Sequence, residues 1–193
     1  MPFDITTFRS AMTYDGQRPN LFEVEITPNT DWANFSDMNL FCKGTSIPGA
    51  TIGTVIVPYF GREVKLAGNR TFPEWTVTVL NDENWSIRSQ FESWMNAINS
   101  HGANIRTTAE ADPNDYTKSA VVTQYAKKGG ETGKYKFANL FPTDLSEITL
   151  DWGDNDTVEE YTVTFAYDYW TTTPSTKSAG KGKTRSQGIT VGS

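Results

Sequence analysis

Cysteine and histidine are each present only once, as Cys42 and His101. One cysteine excludes an intrachain disulfide and a cysteine-built zinc site, and its scarcity is typical of proteins from a reducing compartment. A Cys–His nucleophile pair would require these two residues to meet by coincidence. His101 lies at the predicted end of a helix, where a cation is favoured, so we expect it to be structural.

Long hydrophobic runs are also missing, and residues 1–14 lack the basic start and apolar middle of a secretory signal. We therefore predict no membrane insertion by this chain. Among the many carboxylates, no spacing singles out an acid–base pair. The acids at residues 154–160 do not have the spacing of an EF-hand loop, with its glycine and its closing glutamate. The phosphate-loop fragment at residues 182–184 lacks its first glycine. The sequence predicts no enzyme, no metal site and no cofactor.

Basic residues are scarce in most of the chain. Four of the 17 lie in residues 171–193, which contain no acid: Lys177, Lys181, Lys183 and Arg185. The other 13 basic and 23 acidic residues give residues 1–170 a net charge of −10. An acidic body argues against a protein that grips phosphates. We predict a folded domain over residues 1–170 and a basic tail, rich in Thr, Ser, Gly and Lys, over 171–193.

The clearest pattern is a strand followed by a helix at residues 68–102. From Phe72 to Leu80 the residues alternate, with Trp75, Val77 and Val79 on one face and Glu74, Thr76 and Thr78 on the other. Residues 81–84 offer side chains that cap a helix, and Gly102 is a candidate C-cap. The helix between them carries an apolar stripe that needs a sheet to cover it: Ile87, Phe91, Trp94, Met95 and Ile98.

The remaining patterns predict strands. We place them at residues 21–27, 39–46, 118–126, 134–141, 147–152 and 158–170, with a break at 142–144, irregular structure over 1–20 and loops at 28–37 and 104–115. In the last strand, Glu160, Thr162 and Thr164 oppose a row of aromatic and apolar residues. The fold class is mainly β, an antiparallel barrel or sandwich with one packed helix.

Residues 51–58 and 60–67 are two β-rich runs around Tyr59 and Gly61, predicted to form a long hairpin or arm. A lone hairpin is marginally stable in water, so it should rest on this subunit or another. The sheet's second face, lined by Thr and Glu, suits a subunit that closes into a ring with its copies. From the residue pattern alone, an ordinary antiparallel sheet facing solvent is the simpler explanation.

Several short pieces stand in one order along the chain. They are Arg-Pro-Asn-Leu-Phe (18–22), Phe-Cys (41–42), Gly-Asn-Arg-Thr-Phe (68–72), Trp-Thr-Val-Thr-Val (75–79), Asn-Asp-Glu (81–83), Lys-Ser-Ala-Val (118–121), Gln-Tyr (124–125), Pro-Thr (142–143), Leu-Asp-Trp (150–152) and Asp-Tyr-Trp (168–170). In this order the chain resembles the tail tube proteins of contractile-tailed bacteriophages, over residues 18–170.

The resemblance implies a structural virion protein of the phage tail, assembled in the host cytoplasm and without enzymatic activity. It implies hexameric rings around an inner β-barrel, stacked into a tube. The implied partners are other copies of the chain, the contractile tail sheath protein, the tape-measure protein, baseplate and tail terminator proteins, and duplex DNA only in transit. The basic tail extends beyond the aromatic end where relatives stop.

Three sets of residues are then candidates for assembly. The candidates for the lumen wall are Glu74, Thr76, Thr78, Glu160, Thr162 and Thr164. The candidates for contacts between stacked rings are Thr51, Val55, Val57, Tyr59, Arg62 and Lys65. The candidates for contact with the sheath or a neighbouring ring are Lys177, Lys181, Lys183 and Arg185.

Two other functions remain open. The inner tube of a phage-derived contractile injection system or type VI secretion apparatus would share the fold but carry effector protein. A monomeric β-sandwich that binds carbohydrate would instead group exposed aromatics such as Trp32 and Phe35 around a shallow groove.

Overall fold

The computed structural model describes residues 4–12, 16–27, 35–106 and 112–174, and it confirms a mainly β, antiparallel fold. Its strands are β1 (Phe22–Ile26), β2 (Cys42–Thr45), β3 (Thr51–Tyr59), β4 (Arg62–Thr71), β5 (Trp75–Leu80), β6 (Lys118–Tyr125), β7 (Glu131–Leu145), β8 (Glu160–Ala166) and β9 (Tyr169–Pro174). Its helices are α1 (Ile5–Ala11), α2 (Met38–Phe41), α3 (Ser86–Ile98) and α4 (Pro113–Tyr116).

Seven strands form the main sheet in the order β1-β6-β7-β8-β5-β2, with β9 also paired to β7. The 15-residue strand β7 is central because it pairs with β6 on one side and with β9 and then β8 on the other. The edge strands β1 and β2 are not hydrogen-bonded to each other, so the barrel is not closed. Phe22 of β1 and residues 42–45 of β2 line an open cleft between these edges.

The core lies between the main sheet and α3. Trp75, Val77 and Val79 of β5 are buried, which confirms the predicted alternation. The predicted helix is also confirmed, with Met95 and Ile98 only half-buried at the margin of its apolar stripe. Ring contacts join α3 to the sheet, since Phe91 and Trp94 lie 5.9 and 6.3 Å from the centroid of the Phe165 ring. The remaining buried residues of α3 and β8 are Ile87, Ala97, Tyr161 and Val163.

The ends of α3 follow the prediction only at the start. Asp82 accepts hydrogen bonds from the Ser86 backbone N–H (3.0 Å) and the Ser86 hydroxyl (2.7 Å), so a side chain from the predicted capping stretch holds the first turn. The helix ends at Ile98, and the extended Asn99 takes the C-cap position. Gly102 as C-cap was therefore wrong.

Three short helices lie in stretches that were predicted to be irregular, loop or strand. Asp4 caps α1 by accepting from the Thr6 backbone N–H (3.0 Å), but all residues of α1 are exposed, so no apolar stripe marked it. Asp112 and Asp115 form a capping box that starts α4. The predicted strand at 39–46 is wrong in its first half, because α2 precedes β2 there.

Two strand boundaries were also wrong. The run was expected to break at 142–144, yet β7 continues to Leu145 through a register shift between Pro142 and Asp144. A bulge of this kind tolerates a residue without an N–H. No strand forms at 147–152, and the predicted strand at 158–170 is divided into β8 and β9.

Glu23 joins three elements of the fold and provides a pH-dependent test of it. It accepts hydrogen bonds from the Tyr125 hydroxyl and from Asn39 Nδ2 (3.1 Å). These bonds, with the nearby Lys134 charge, lower the pKa of Glu23 below its usual 4.5. The bond to Glu23, the main cause, also raises the pKa of Tyr125 to about 12.

A carboxylate whose pKa is lower in the folded state stabilises the fold above its unfolded pKa, and the effect is lost as the pH falls through the folded pKa. Tyr125→Phe removes the main cause of the shift. We expect it to lower the free energy of unfolding by about 1 kcal/mol at neutral pH. The loss should shrink when urea unfolding is repeated below pH 4.5. An equal loss at both pH values would contradict this.

Candidate functional site

The first candidate surface is the polar face of strands β5 and β8. The antiparallel register places Thr76 opposite Thr164 and Thr78 opposite Thr162. These four residues, which we name the threonine face, point away from the core because their neighbours in each strand are buried. The structure therefore brings these four predicted residues together as one patch of hydroxyl groups.

Charged residues border the threonine face unevenly. Glu160 continues the face and forms an ion pair with Lys43, which was not predicted to lie there. Asp144 of β7 pairs with Thr164 and adds an exposed carboxylate. Glu74 is exposed just before β5 begins. The patch is thus weakly acidic, because Lys43 offsets one of the predicted carboxylates.

The second candidate surface is the hairpin arm, the separate two-stranded sheet of β3 and β4. The prediction of a hairpin here is confirmed. Its two-residue turn has positive φ at Phe60 (44°) and Gly61 (78°), which matches the right-handed twist of the strands. One face carries apolar side chains that are 41–65% exposed: Val55, Val57, Tyr59, Val64 and Leu66.

The register separates the residues predicted for contacts between rings. Val55, Val57, Tyr59 and Arg62 share the apolar face of the hairpin arm, whereas Lys65 pairs with Ile56 on the opposite face. Thr51 lies at the base, beyond a register shift. The prediction missed Phe60, which is 92% exposed at the tip and contacts Tyr59 edge-on at 4.7 Å. Its neighbour Gly61 was the available signal for a tip.

The base of the hairpin arm is tied to the main sheet by two indole groups. Trp75 Nε1 donates to the Ser46 carbonyl (3.0 Å), and Trp170 Nε1 donates to the Gly49 carbonyl (2.9 Å). Just above this base the backbones of Gly53 and Gly68 approach closely, since a Cβ on Gly68 would lie 3.1 Å from the Gly53 carbonyl oxygen. The chain therefore anchors the base and leaves the rest of the arm exposed.

Residues with chemical reactivity do not meet in the described part of the chain. Burial raises the pKa of the Cys42 thiol to about 12, so the nucleophilic thiolate is not populated at neutral pH. His101 is exposed, with Nδ1 2.9 Å from Asn96 Oδ1. Within the residues described, no three His, Cys, Asp or Glu side chains converge on a metal position, and no helix is long and apolar enough to cross a membrane.

The aromatic groove expected of a carbohydrate-binding protein does not form around Phe35. Phe35 is 4% exposed and packs against Phe91 and Trp94 at 4.8 and 5.7 Å. Its predicted partner Trp32 lies outside the described residues, as do the tail residues Lys177, Lys181, Lys183 and Arg185.

A subunit with an open-edged sheet, a polar sheet face and an exposed apolar arm is the kind of protein that assembles with copies of itself. Residues 17–173 match the family model described as phage tail tube protein. The chain is 36% identical to the tail tube protein gp19 of Enterobacteria phage T4 over 168 residues, which cover 86% of this chain and 97% of that protein. It is also 26% identical to the tail tube protein of Serratia phage KSP90, with coverages of 84% and 93%. The chain belongs to the phage tail tube protein family, and it is a structural protein of the virion tail.

Solved structures share the fold. The sheath–tube complex of the extracellular contractile injection system PVC, in its extended state, contains a chain with a TM-score of 0.62 and 16% identity, with coverages of 89% and 99%. The tube-terminating cap of the anti-feeding prophage gives a TM-score of 0.61 and 17% identity, with coverages of 90% and 99%. At this identity the likeness supports the fold alone.

Proposed function

We propose that the chain forms hexameric rings that stack into the tail tube of a contractile-tailed phage, through which the genome leaves the capsid. It has no catalytic role in this proposal. The observation that carries it is the exposed apolar face of the hairpin arm on a chain of this family. Five large apolar side chains held in water on a marginal hairpin indicate a surface that another subunit covers.

The arm is proposed to contact the adjacent ring, with Val55, Val57, Tyr59 and Arg62 on the contacting face and Phe60 at the tip. The structures that share this fold include a sheath–tube complex and a tube-terminating cap, and we include a sheath and a terminator among the proposed partners. A baseplate protein, the tape-measure protein and DNA in transit complete the proposed set. Thr51 and Lys65 have supporting positions at the base and on the reverse face.

Electron microscopy of the purified chain across a concentration series, with mass photometry alongside, tests this function. We expect rings or hollow tubes. Tube subunits often await a nucleus, so the same series is repeated with added baseplate. Monomers that persist in both series would contradict the proposal.

An inner tube of an injection system that carries protein is the second candidate, favoured by the fold shared with the injection-system structures. The more similar relatives by sequence are phage proteins, which favours the first candidate. Capsid or terminase genes beside the gene for this chain would support the phage function. Injection-system genes in that neighbourhood, without capsid or terminase genes, would support the alternative.

The threonine face, with Glu74 and Glu160, is proposed to line the lumen. A wall of hydroxyl groups with few, mainly acidic charges cannot gain free energy by releasing counterions from phosphates, so duplex DNA should slide along it. The Lys43–Glu160 pair leaves no strong excess of positive charge there.

Glu74→Lys with Thr78→Lys places cations on this face and leaves the Lys43–Glu160 pair intact. We expect tubes of normal length and slower DNA ejection, because each added cation attracts passing phosphates. Ejection is timed by dye release from labelled virions. Glu83→Lys, in the connection to α3, is the matched control and should leave the rate unchanged. Equal ejection rates in all three tubes would exclude a luminal position.

A further inference from the structure

Residues 147–160, which lead from the end of β7 to the first residue of β8, expose large apolar side chains beside many carboxylates. Trp152 is fully exposed, and Leu150 and Val158 are 75% and 68% exposed. The same 14 residues contain six acidic and no basic residues. They surround an open depression of about 450 Å³. We name this surface the acidic loop.

The acidic loop is held at its two ends and exposed in its middle. Ile148 packs against the core, and Asn81 Nδ2 donates to Glu159 (2.8 Å) next to the Lys43–Glu160 pair. Between these anchors, Asp151 accepts only from its own loop, at the Gly153 backbone N–H (2.8 Å). A fixed, concave surface that combines an exposed indole with carboxylates suits a segment that carries Lys and Arg, through charge attraction and cation–π contact.

The chain contains such a segment. Residues 175–193 include three lysines and one arginine without an acid, and they lie beyond residue 173, where the match to the family ends. The shared tail tube fold therefore does not account for them. Their positive charge is complementary to the negative charge of the acidic loop.

The fold places the two segments at opposite ends of one strand pair. β7 runs antiparallel to β8 and β9, so the acidic loop joins residues 145 and 160 at one end, while Pro174 pairs with Gly133 at the other. Twelve residues of extended chain separate these ends by up to about 40 Å. A second copy arranged head to tail brings the loop of one chain to the exit point of the other.

We propose that the acidic loop of one copy binds the basic residues 175–193 of another copy. This contact rests on one part of the proposed function, the assembly of several copies. It joins neighbouring subunits through residues outside the hairpin arm. Trp152 and Leu150 provide the apolar part of the site, and Asp151, Asp154 and Asp156 provide its charge.

The test uses the full chain with Thr149→Cys, an exposed position in the depression that leaves Trp152 and every carboxylate in place. A reagent that joins a thiol to a lysine amine is added to a mixture of ¹⁵N-labelled and unlabelled copies, and cross-linked peptides are identified by mass spectrometry. The half-buried Cys42 reacts little, because burial raises its pKa to about 12. We expect links from position 149 to Lys177, Lys181 or Lys183 that join labelled to unlabelled chains.

Two variants give the comparison. Asp151→Asn, Asp154→Asn and Asp156→Asn together should lower the yield of these links about tenfold, the effect of losing three exposed charge pairs. Thr132→Cys, beside the exit of the chain at Pro174, should instead give links within one chain. Links from position 149 within one chain only, links to lysines of the folded domain, or a yield that neutralisation does not change would overturn the proposal.

Electron microscopy of the same samples separates this proposal from the proposed function. Tubes that form without the expected links would refute the docking contact and support the tube. Links between copies in samples that form no rings or tubes, even with added baseplate, would support the contact and refute the tube.

Discussion

Deletion of residues 54–67 is expected to leave a folded chain that no longer forms tubes. These residues make up nearly the whole hairpin arm, and none of their side chains is buried. The deletion joins Gly53 to Gly68, whose backbones already lie in contact, so the main sheet need not adjust. The indole bonds to Ser46 and Gly49 lie outside the deleted stretch.

The physical reason is the separation of the arm from the core. The stability of the domain comes from apolar area buried between the main sheet and α3, to which the arm contributes nothing. Urea unfolding should therefore give a free energy within about 0.5 kcal/mol of the wild-type chain. Electron microscopy should show no tubes where the wild-type chain forms them, even with baseplate present.

A second variant separates the shape of the arm from its apolar face. Val55→Thr, Val57→Thr and Val64→Thr keep β-branched residues on this face of the hairpin and replace one methyl group by a hydroxyl at each position. If apolar burial drives stacking, this variant also fails to polymerise although the arm is intact. Tubes of normal length from the deletion variant would refute the assigned role of the arm.

Periodicity predicted the parts of this fold whose burial is one-sided. Trp75, Val77 and Val79 alternate with threonines because one face of β5 packs under α3 and the other does not. The same signal misled at 147–152, where Ile148, Leu150 and Trp152 alternate without a partner strand. Ile148 packs against the core, but the other two side chains are exposed. Alternation of apolar and polar residues is compatible with a strand, but a strand forms only where a neighbouring strand provides backbone hydrogen bonds.

The sequence predicted several of the residue types on the candidate surfaces, but it did not predict how all of them are arranged. The threonines were found because they share a period, but Lys43 was not, since its position depends on a register shift between Cys42 and Gly44. Asp144 was missed because Pro142 indicated a break. Lys65 was grouped with Val55 and Val57, whereas the two-residue turn at Phe60 and Gly61 sets a register that turns it to the other face. Bulges and turns determine the strand register and therefore which residues share a face. A single sequence indicates their positions only weakly.

Trp75→Ala is expected to have the largest effect on stability. Trp75 is 1% exposed, stacks on Phe137 at 4.3 Å and contacts Phe165 at 5.4 Å. Truncating a buried tryptophan costs about 3–5 kcal/mol through lost burial and the cavity left behind. Small domains are stable by about 5–15 kcal/mol, so the variant should be close to unfolding. Urea unfolding followed by far-ultraviolet circular dichroism measures the loss.

Trp152→Ala is the matched control, because the same side chain is removed from a fully exposed position. It should change the free energy of unfolding by no more than about 0.5 kcal/mol. Equal losses at positions 75 and 152 would contradict the packing described for the core.

Trp75→Phe tests the link between the core and the arm. Phenylalanine refills part of the space but cannot donate to the Ser46 carbonyl, which Trp75 Nε1 contacts at 3.0 Å. Because Ser46 is exposed, water can replace the lost donor, and the missing hydrogen bond should cost about 0.5–1.5 kcal/mol, less than truncation. Because Ser46 precedes the arm, hydrogen exchange should rise first at residues 46–52, and tube formation should weaken before the fold is lost. A variant with normal exchange there would show that Trp170, through Gly49, holds the base of the arm alone.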